Sequence, residues 1–278
     1  MALFDIYTYQ FSPLPIQGDL FDESYIHKQE VVMENKNNVF KDLLQGIDFT
    51  YRNKRHSICH FPKDNELIVF KISNTKTMLL ERDFKIEATT DEPSSLVIIY
   101  NSPYVQRIAI QQNLRAFSDT EIVVRIIQNS LKHDLAQYGL RIAIKKEYRS
   151  QEFWDIVNTN MDSISMLRFE FDYPNLPRVT EKVDTLLRGL SKGVYSGKTK
   201  LEFNALEKEA LNLNRDNEAL NDLTKAASSS GNPITLKIKG YRKYKKTGNT
   251  TKTVEFDEAE IISKTGDELR DFFNRIDE

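Results

Sequence analysis

The side chains best suited to bind a metal ion are His56, Cys59 and His60. Two histidines four residues apart on a helix could share a Zn²⁺ ion. The segment from His56 to Phe61 has the pattern of a strand, however, and would hold the two imidazoles further apart than a ligand pair prefers. Neighbouring strand residues such as Cys59 and His60 also face opposite sides, which argues against a catalytic Cys/His pair. We therefore predict a polar strand face here with a buried Cys59, and no metal or other cofactor.

Two acidic residues on a later strand suggest a different chemistry. Glu170 and Asp172 would lie on one face of that strand, where paired carboxylates can ligate Mg²⁺ in a nuclease. The usual arrangement adds a lysine two residues beyond a strand glutamate, and none of the clearly patterned strands has one. A metal-dependent nuclease remains an alternative hypothesis.

The loop from Ser191 to Thr199 resembles a phosphate-binding P-loop in composition. Its Gly193 and Gly197 are separated by three residues instead of four, and the loop follows a predicted helix where a P-loop follows a strand. The chain also lacks a G-x-S-x-G nucleophile motif. The sequence thus favours a protein without catalytic activity.

Basic stretches are the most informative feature, because 39 Lys and Arg residues against 41 Asp and Glu residues leave the whole chain at a net charge of −2. Residues 237–254 and 188–200 contain no acidic residue, and a shorter basic run spans residues 52–55. Such segregation predicts a basic surface that attracts phosphates without reading sequence. The predicted nucleic-acid-binding residues are Lys237, Lys239, Tyr241, Arg242, Lys243, Tyr244, Lys245, Lys246, Lys252, Arg188, Lys192, Lys198 and Lys200.

Two other interpretations of the basic stretches stay open. Lysines on an exposed hairpin can protect a sheet edge from pairing with other chains. They can also bind an acidic protein, and the acidic residues from Glu255 to Glu260 suggest that this partner is another copy of the chain. A protein-interaction subunit of a larger complex is therefore a second alternative.

Length and composition predict a packed globular protein. The 278 residues are 40% apolar and include one cysteine, which excludes an internal disulfide framework and is compatible with a reducing compartment. The first residues lack the basic and apolar regions of a signal peptide, and no long apolar run occurs. We expect a cytoplasmic protein without membrane insertion.

Residue patterns place strands mainly before residue 117 and helices mainly after it. A box of Ser118 and Glu121 predicts a helix over 119–138, and a box of Thr265 and Glu268 opens a C-terminal helix. These patterns predict an α+β fold with a β-rich domain over 1–117 and a mixed domain over 118–278. Further predicted strands are Leu67–Ser73, Met78–Ala88, Leu96–Asn101, Val105–Gln111 and Leu167–Tyr173, and a basic hairpin would pair Ile234–Tyr244 with Thr251–Phe256.

The order of these elements over residues 95–260 resembles that of RexA-type phage-exclusion proteins and, more loosely, KwaB-type proteins of Kiwa defence systems. The resemblance rests on the strands Leu96–Asn101 and Leu167–Tyr173, the capped helix from Ser118 and the late basic hairpin. It implies a non-catalytic, sequence-independent DNA-binding protein that forms a homodimer and acts in bacterial antiviral defence. The resemblance favours DNA over RNA, and the basic stretches agree with nucleic acid as the partner but leave that choice open.

Overall fold

The protein divides into two compact units. The computed structural model describes residues 1–14, 31–64, 66–103, 105–172 and 198–276. Unit 1 comprises Met1–Ile144 and Thr253–Glu278, and unit 2 comprises Lys145–Lys252. Helices and strands occur in both, with strands dominating the N-terminal half, so the predicted α+β class is confirmed.

The elements follow one another in three stretches of chain. The first contains β1 (Ala2–Pro13), α1 (Lys36–Gly46), β2 (Phe49–Tyr51), β3 (Lys54–His56), β4 (Ile58–Phe61), β5 (Leu67–Ser73), β6 (Lys76–Arg82), β7 (Lys85–Asp91), β8 (Ser94–Asn101), β9 (Gln106–Gln111), α2 (Thr120–Gln137) and β10 (Leu140–Lys146). The second contains α3 (Gln151–Thr159), a 3-10 turn (Met161–Ser163), β11 (Ile164–Asp172), β12 (Lys198–Asn204), α4 (Glu218–Ser229), β13 (Thr235–Ile238) and β14 (Lys245–Lys246). The chain ends with β15 (Thr253–Phe256), α5 (Glu258–Ser263) and α6 (Gly266–Arg275).

Unit 1 is built around a seven-stranded sheet. Strands β10, β1, β9, β8, β5 and β4 lie side by side, and β15 also pairs with β1. Apolar side chains from one face of the sheet pack against α1 and α2, and those from the other face pack against α5 and α6. Because both faces are covered, the central strands carry continuous apolar runs such as Leu96–Tyr100 in place of simple alternation.

Local capping signals place both predicted helix starts close to their observed positions. At α6 the predicted box is confirmed, since the Thr265 amide donates to Glu268 Oε2 at 2.9 Å and the Glu268 amide donates to Thr265 Oγ1 at 3.5 Å. At α2 the predicted cap residue is wrong. Asp119, not Ser118, accepts the Glu121 amide at 2.7 Å, because the helix begins one residue later, at Thr120.

Unit 2 contains a four-stranded sheet in the order β12, β11, β13 and β14. Apolar residues of this sheet form a core with α3 and α4. In β11, Leu167, Phe169 and Phe171 are buried while Arg168 and Glu170 are partly exposed. The half-buried strand predicted from this alternation is confirmed up to Asp172, and Tyr173 lies outside the described residues.

The predicted pairing of Ile234–Tyr244 with Thr251–Phe256 is wrong. Strand β15 pairs antiparallel with β1 in unit 1, with Phe256 opposite Ala2, and the rings of Phe4 and Phe256 lie 5.7 Å apart edge to face. The apolar residues of β15 thereby join a large core that a free hairpin would not provide. Strand β13 pairs with β14 instead, which makes a shorter basic hairpin within unit 2.

The predicted single strand Met78–Ala88 is also wrong. This segment is the hairpin of β6 and β7, turned by Asp83 and Phe84 with φ angles of 52° and 59°. Such a turn usually contains Asn-Gly or Asp-Gly, and a phenylalanine in the second position hides the turn in the sequence.

The division into units differs from the predicted boundary near residue 117. Helix α2 buries Val123, Ile126, Ile127 and Leu131 in the same core as the N-terminal sheet, which places it in unit 1. Sequence patterns identified the helix correctly but not the sheet that it covers.

Candidate nucleic-acid interface

The basic loop, residues 237–246, leaves and re-enters the sheet of unit 2. Leu236 pairs with Lys245 and Thr235 pairs with Lys246, so the ends of the loop are adjacent. Ile234, Leu236 and Ile238 are buried in the core, while the alternate residue Lys237 is exposed. These buried apolar side chains anchor the start of the loop, and Lys237 turns its charge outward.

Backbone hydrogen bonds shape the turn of the loop. The Lys239 amide donates to the Ser163 carbonyl at 2.7 Å, and the Tyr241 amide donates to the Ile238 carbonyl at 3.2 Å. Gly240 has a φ of 84°, a conformation that glycine adopts without strain. The bend after β13 is therefore specified by glycine and by contacts with the core strand.

Every residue from Tyr241 to Lys246 is exposed. The two tyrosines are 63% and 53% exposed, which is a large apolar area to leave in water. Among the described residues, no carboxylate forms an ion pair with Arg242, Lys243 or Lys245. The loop thus combines uncompensated positive charge with exposed aromatic rings.

Glu152 of α3 holds the chain immediately after the loop. Its carboxylate accepts from the amides of Gly248 at 3.0 Å, Asn249 at 3.1 Å and Thr250 at 2.9 Å, and from Asn249 Nδ2 at 3.0 Å. Burial raises the pKa of Glu152, but these hydrogen bonds outweigh burial and hold the pKa below its ordinary value. The carboxylate therefore stays ionised and fixes the chain that follows β14.

Lys237, Lys239 and Lys252, which lie near the ends of the acid-free stretch 237–254, differ in their contacts. Lys237 is exposed, and Lys239 Nζ donates to the Lys208 carbonyl at 2.9 Å. Lys252 lies 3.8 Å from Glu147, whose side chain is fully buried. Lys252 thus compensates an internal charge, whereas Lys237 and Lys239 keep their charge at the surface.

The strand lysines predicted for the interface lie beside acidic side chains. Lys198 Nζ is 2.6 Å from Glu170 Oε2, and Lys200 Nζ is 3.7 Å from Glu170 Oε1. The hydrogen bond to Glu170 raises the pKa of Lys198, and the same bond lowers the pKa of Glu170. Their positive charge is therefore balanced locally, and Arg188 and Lys192 lie outside the described residues.

Arg168 connects this strand face with the basic loop. Its Nε donates to Glu202 Oε2 at 2.7 Å, and this hydrogen bond raises the pKa of Arg168. The nearby Tyr244 raises the pKa of Arg168 further. Arg168 lies opposite Thr235, which in turn pairs with Lys246 at the end of the loop. The face of β11 and β12 next to the loop thus carries cross-strand pairs of opposite charge.

Glu170 and Asp172, the carboxylates of the nuclease hypothesis, each form an ion pair with lysine. Besides the contacts of Glu170, Asp172 forms a short ion pair with Lys145, which also donates to Asn232 Oδ1 at 2.6 Å. Within the described ranges, no three His, Cys, Asp or Glu side chains come together in a way that could hold a metal ion.

The strand predicted between His56 and Phe61 is confirmed from Ile58 to Phe61 as β4, but His56 does not belong to it. His56 ends β3 in a two-stranded hairpin, and Cys59 and His60 lie in β4 of the large sheet. The prediction of a buried Cys59 is also wrong, because Cys59 is exposed, whereas His56 is buried with its Nδ1 2.9 Å from the Ser73 carbonyl. The break at Ser57 separates the side chains that the sequence had placed together.

Sequence reasoning missed Glu152 as the residue that positions residues 248–250. The only local signal is Gly248, whose φ of 109° marks a backbone position suited to glycine. The partner carboxylate is about a hundred residues away in sequence and carries no motif.

Comparisons of the chain with models of protein families, with curated proteins and with solved structures found no match. In the part of the chain that the structure describes, no helix is both long and apolar enough to span a bilayer.

Proposed function

We propose that this protein binds nucleic acid without catalysis and without sequence specificity, through the basic loop. The observation that carries the proposal is the exposure of Arg242, Lys243 and Lys245 beside Tyr241 and Tyr244, with no carboxylate paired to the three cations among the described residues. Cations whose charge is not balanced inside the protein are those that release counterions when they contact phosphates.

The aromatic rings extend the proposal to single strands. An exposed tyrosine beside cations can stack on an unpaired base of any identity, since every base has an aromatic face. Phosphate contacts and stacking both tolerate any sequence, so binding of this kind requires no element that reads base identity. Lys237, Lys239 and Lys246 extend the positive surface along the same loop.

The resemblance of residues 95–260 to phage-exclusion proteins in the order of elements adds three parts to the proposal. These are a preference for DNA over RNA, formation of a homodimer and a role in antiviral defence. Light scattering on purified protein tests the dimer, and a measured mass of one chain would remove it. Competition between DNA and RNA of the same sequence tests the preference, and tighter binding of RNA would reverse it.

The test of the basic loop is a titration of labelled duplex and single-stranded DNA at about 50 mM and 200 mM salt. Affinity should fall steeply with salt. A variant with Arg242→Glu, Lys243→Glu and Lys245→Glu should bind about a hundredfold more weakly at the lower salt. Its negative slope of log affinity against log salt should become shallower by about 3.

The matched control reverses three exposed lysines elsewhere, Lys85, Lys132 and Lys225, so that net charge changes equally. If both triple variants bind alike, the effect is one of net charge and the loop is not the interface. Unchanged affinity in the loop variant would likewise overturn the proposal. Cleavage of DNA on addition of Mg²⁺, abolished by Asp172→Asn, would replace it with the nuclease hypothesis.

A further inference from the structure

Unit 1 contains a cavity that the proposed function does not use. It has a volume of about 360 Å³ and lies between the hairpin of β2 and β3, the start of β6 and the residues before α2. Sites for small molecules commonly have volumes of about 300 to 1,000 Å³. The cavity is therefore large enough for a small organic ligand.

The charge of the lining is entirely positive. Arg52, Lys54 and Lys76 line the cavity, and no aspartate or glutamate is among the described residues that line it. Burial, together with the nearby Lys54, lowers the pKa of His56, another lining residue, so the imidazole is neutral at pH 7. An anion in the cavity would therefore face three cationic residues of the lining and, among its described residues, no carboxylate.

The two lysines are held in place by neutral oxygens. Lys54 Nζ donates to Asn74 Oδ1 at 2.6 Å and to the Thr75 carbonyl, and Lys76 Nζ donates to the Arg115 carbonyl at 2.5 Å. A carbonyl orients an ammonium group without cancelling its charge, and an ammonium has three N–H donors. Both lysines thus retain positive charge and at least one donor for a ligand.

Arg52 occupies an unusual backbone conformation. Arg52 and Asn53 turn the hairpin with φ angles of 50° and 62°, where the sequence Asn-Gly is strongly favoured. A non-glycine residue at positive φ other than asparagine is uncommon, and such positions occur often at functional sites. The turn places the Arg52 guanidinium 5.2 Å from the centre of the Tyr51 ring, which also lines the cavity.

We propose that this cavity binds a nucleoside monophosphate, with the phosphate held by Arg52, Lys54 and Lys76 and the planar base against the aromatic lining of Tyr51 and Phe117. A phosphate matches a cavity lined by three cationic residues, and a base matches aromatic rings beside a guanidinium. The concave shape selects a compact ligand, in contrast to the open surface of the basic loop. The ligand is either a free mononucleotide or the phosphorylated end of a strand, and both present the same chemistry.

The test is calorimetric titration with AMP, GMP, CMP and UMP, using protein that already carries the three loop substitutions Arg242→Glu, Lys243→Glu and Lys245→Glu. Removing the loop cations ensures that phosphate binding there does not contribute. At least one nucleotide should bind, and the matching nucleoside without phosphate should bind about tenfold more weakly or not at all. Oligonucleotides with and without a 5′-phosphate distinguish the two sources of the ligand.

The decisive variant is Arg52→Gly. Glycine relieves the positive φ, so the variant should be at least as stable as the parent, while the nucleotide should bind about tenfold more weakly because the guanidinium is lost. The matched control is Asp83→Gly, which relieves a φ of 52° at the same position of the β6–β7 turn, outside the cavity lining. It should leave nucleotide affinity unchanged.

Two results would overturn the proposal. One is the absence of heat with all four nucleotides at millimolar concentration, and the other is equal nucleotide affinity in Arg52→Gly and Asp83→Gly. Neither result bears on the basic loop. The loop is tested by DNA binding, in which the wild-type protein with its intact loop is compared with the triple variant.

Discussion

The hairpin of β2 and β3 in unit 1 and the hairpin of β13 and β14 in unit 2 each gather several cationic side chains, yet they expose those charges in opposite ways. In unit 1, Lys54 donates to neutral oxygens and Arg52 lies over a ring, at the wall of a cavity. In unit 2, Arg242, Lys243 and Lys245 project into solvent.

This difference teaches that the number of basic residues does not specify the ligand. A concave site with ammonium groups held by hydrogen bonds is suited to one small anion, because the cavity wall encloses the ligand. An exposed loop with mobile side chains is suited to a polyanion, because it can contact successive phosphates and release counterions. The shape of the backbone decides between the two.

The largest effect expected in the basic loop comes from the apolar residue that anchors it. Leu236→Ala should lower the free energy of unfolding by about 2 to 5 kcal/mol, since Leu236 is fully buried and its removal leaves a cavity. Urea denaturation followed by circular dichroism measures this. The neighbouring Lys237→Ala serves as control and should change stability by less than about 0.5 kcal/mol. Equal changes in the free energy of unfolding for the two variants would show that burial of Leu236 does not anchor the loop.

A smaller effect concerns the aromatic rings that only the open loop exposes. Tyr241→Ala should weaken binding of single-stranded DNA by about tenfold through loss of stacking and should affect duplex DNA less. Fluorescence anisotropy with both substrates measures the two affinities. Tyr138→Ala removes a similarly exposed tyrosine of unit 1 and should leave both affinities unchanged. A uniform loss with both substrates would argue against stacking.

Glu152 tests whether the chain next to the loop is held by a charge. Glu152→Gln should destabilise the protein by about 1 to 2 kcal/mol at pH 7, because hydrogen bonds to a charged acceptor become neutral ones. A lowered pKa in the folded state stabilises the fold above the unfolded pKa of about 4.3, and this contribution is lost as the pH falls through the folded value.

The stability difference between wild type and Glu152→Gln should therefore shrink as the solution is acidified. Denaturation at pH 7 and at several values below about 4 measures it. Glu207→Gln changes an exposed glutamate of the same unit and provides the control. A difference that is independent of pH would mean that the carboxylate charge does not hold residues 248–250.

The smallest effect is expected for a strand lysine whose charge is balanced by a neighbour. Lys200→Ala should change stability by less than about 1 kcal/mol, because exposed ion pairs contribute little. DNA affinity should change by no more than about twofold, since Glu170 already offsets this charge. A tenfold loss of affinity would add the face of β11 and β12 to the interface.

Elements with a strong local pattern were predictable. The alternation of Leu167, Phe169 and Phe171 predicted β11, and the box of Thr265 and Glu268 predicted the start of α6. These signals act between residues that are close in sequence, so the chain needs no distant partner to produce them.

Pairings over long distances were not predictable. Nothing in the residues of β15 indicates that its partner is β1, more than two hundred residues earlier. The hairpin predicted with the nearer strand was reasonable by chain distance, but burial of Val254 and Phe256 in the core of unit 1 favoured the distant pairing. The cavity beside Arg52 was likewise not predictable, because its walls come from three segments that are separate in the sequence.

The sequence by itself determined the α+β composition, the half-buried strands, the C-terminal helix and the presence of an acid-free basic segment at residues 237–254. Tertiary structure alone decided which lysines face carboxylates. Lys198, Lys200 and Lys252 lie beside acidic partners, whereas the cations of residues 242–245 have none among the residues that the structure describes. The physical reason is that residue type and periodicity are local properties, whereas charge compensation depends on which distant side chains the packed core brings within a few ångströms.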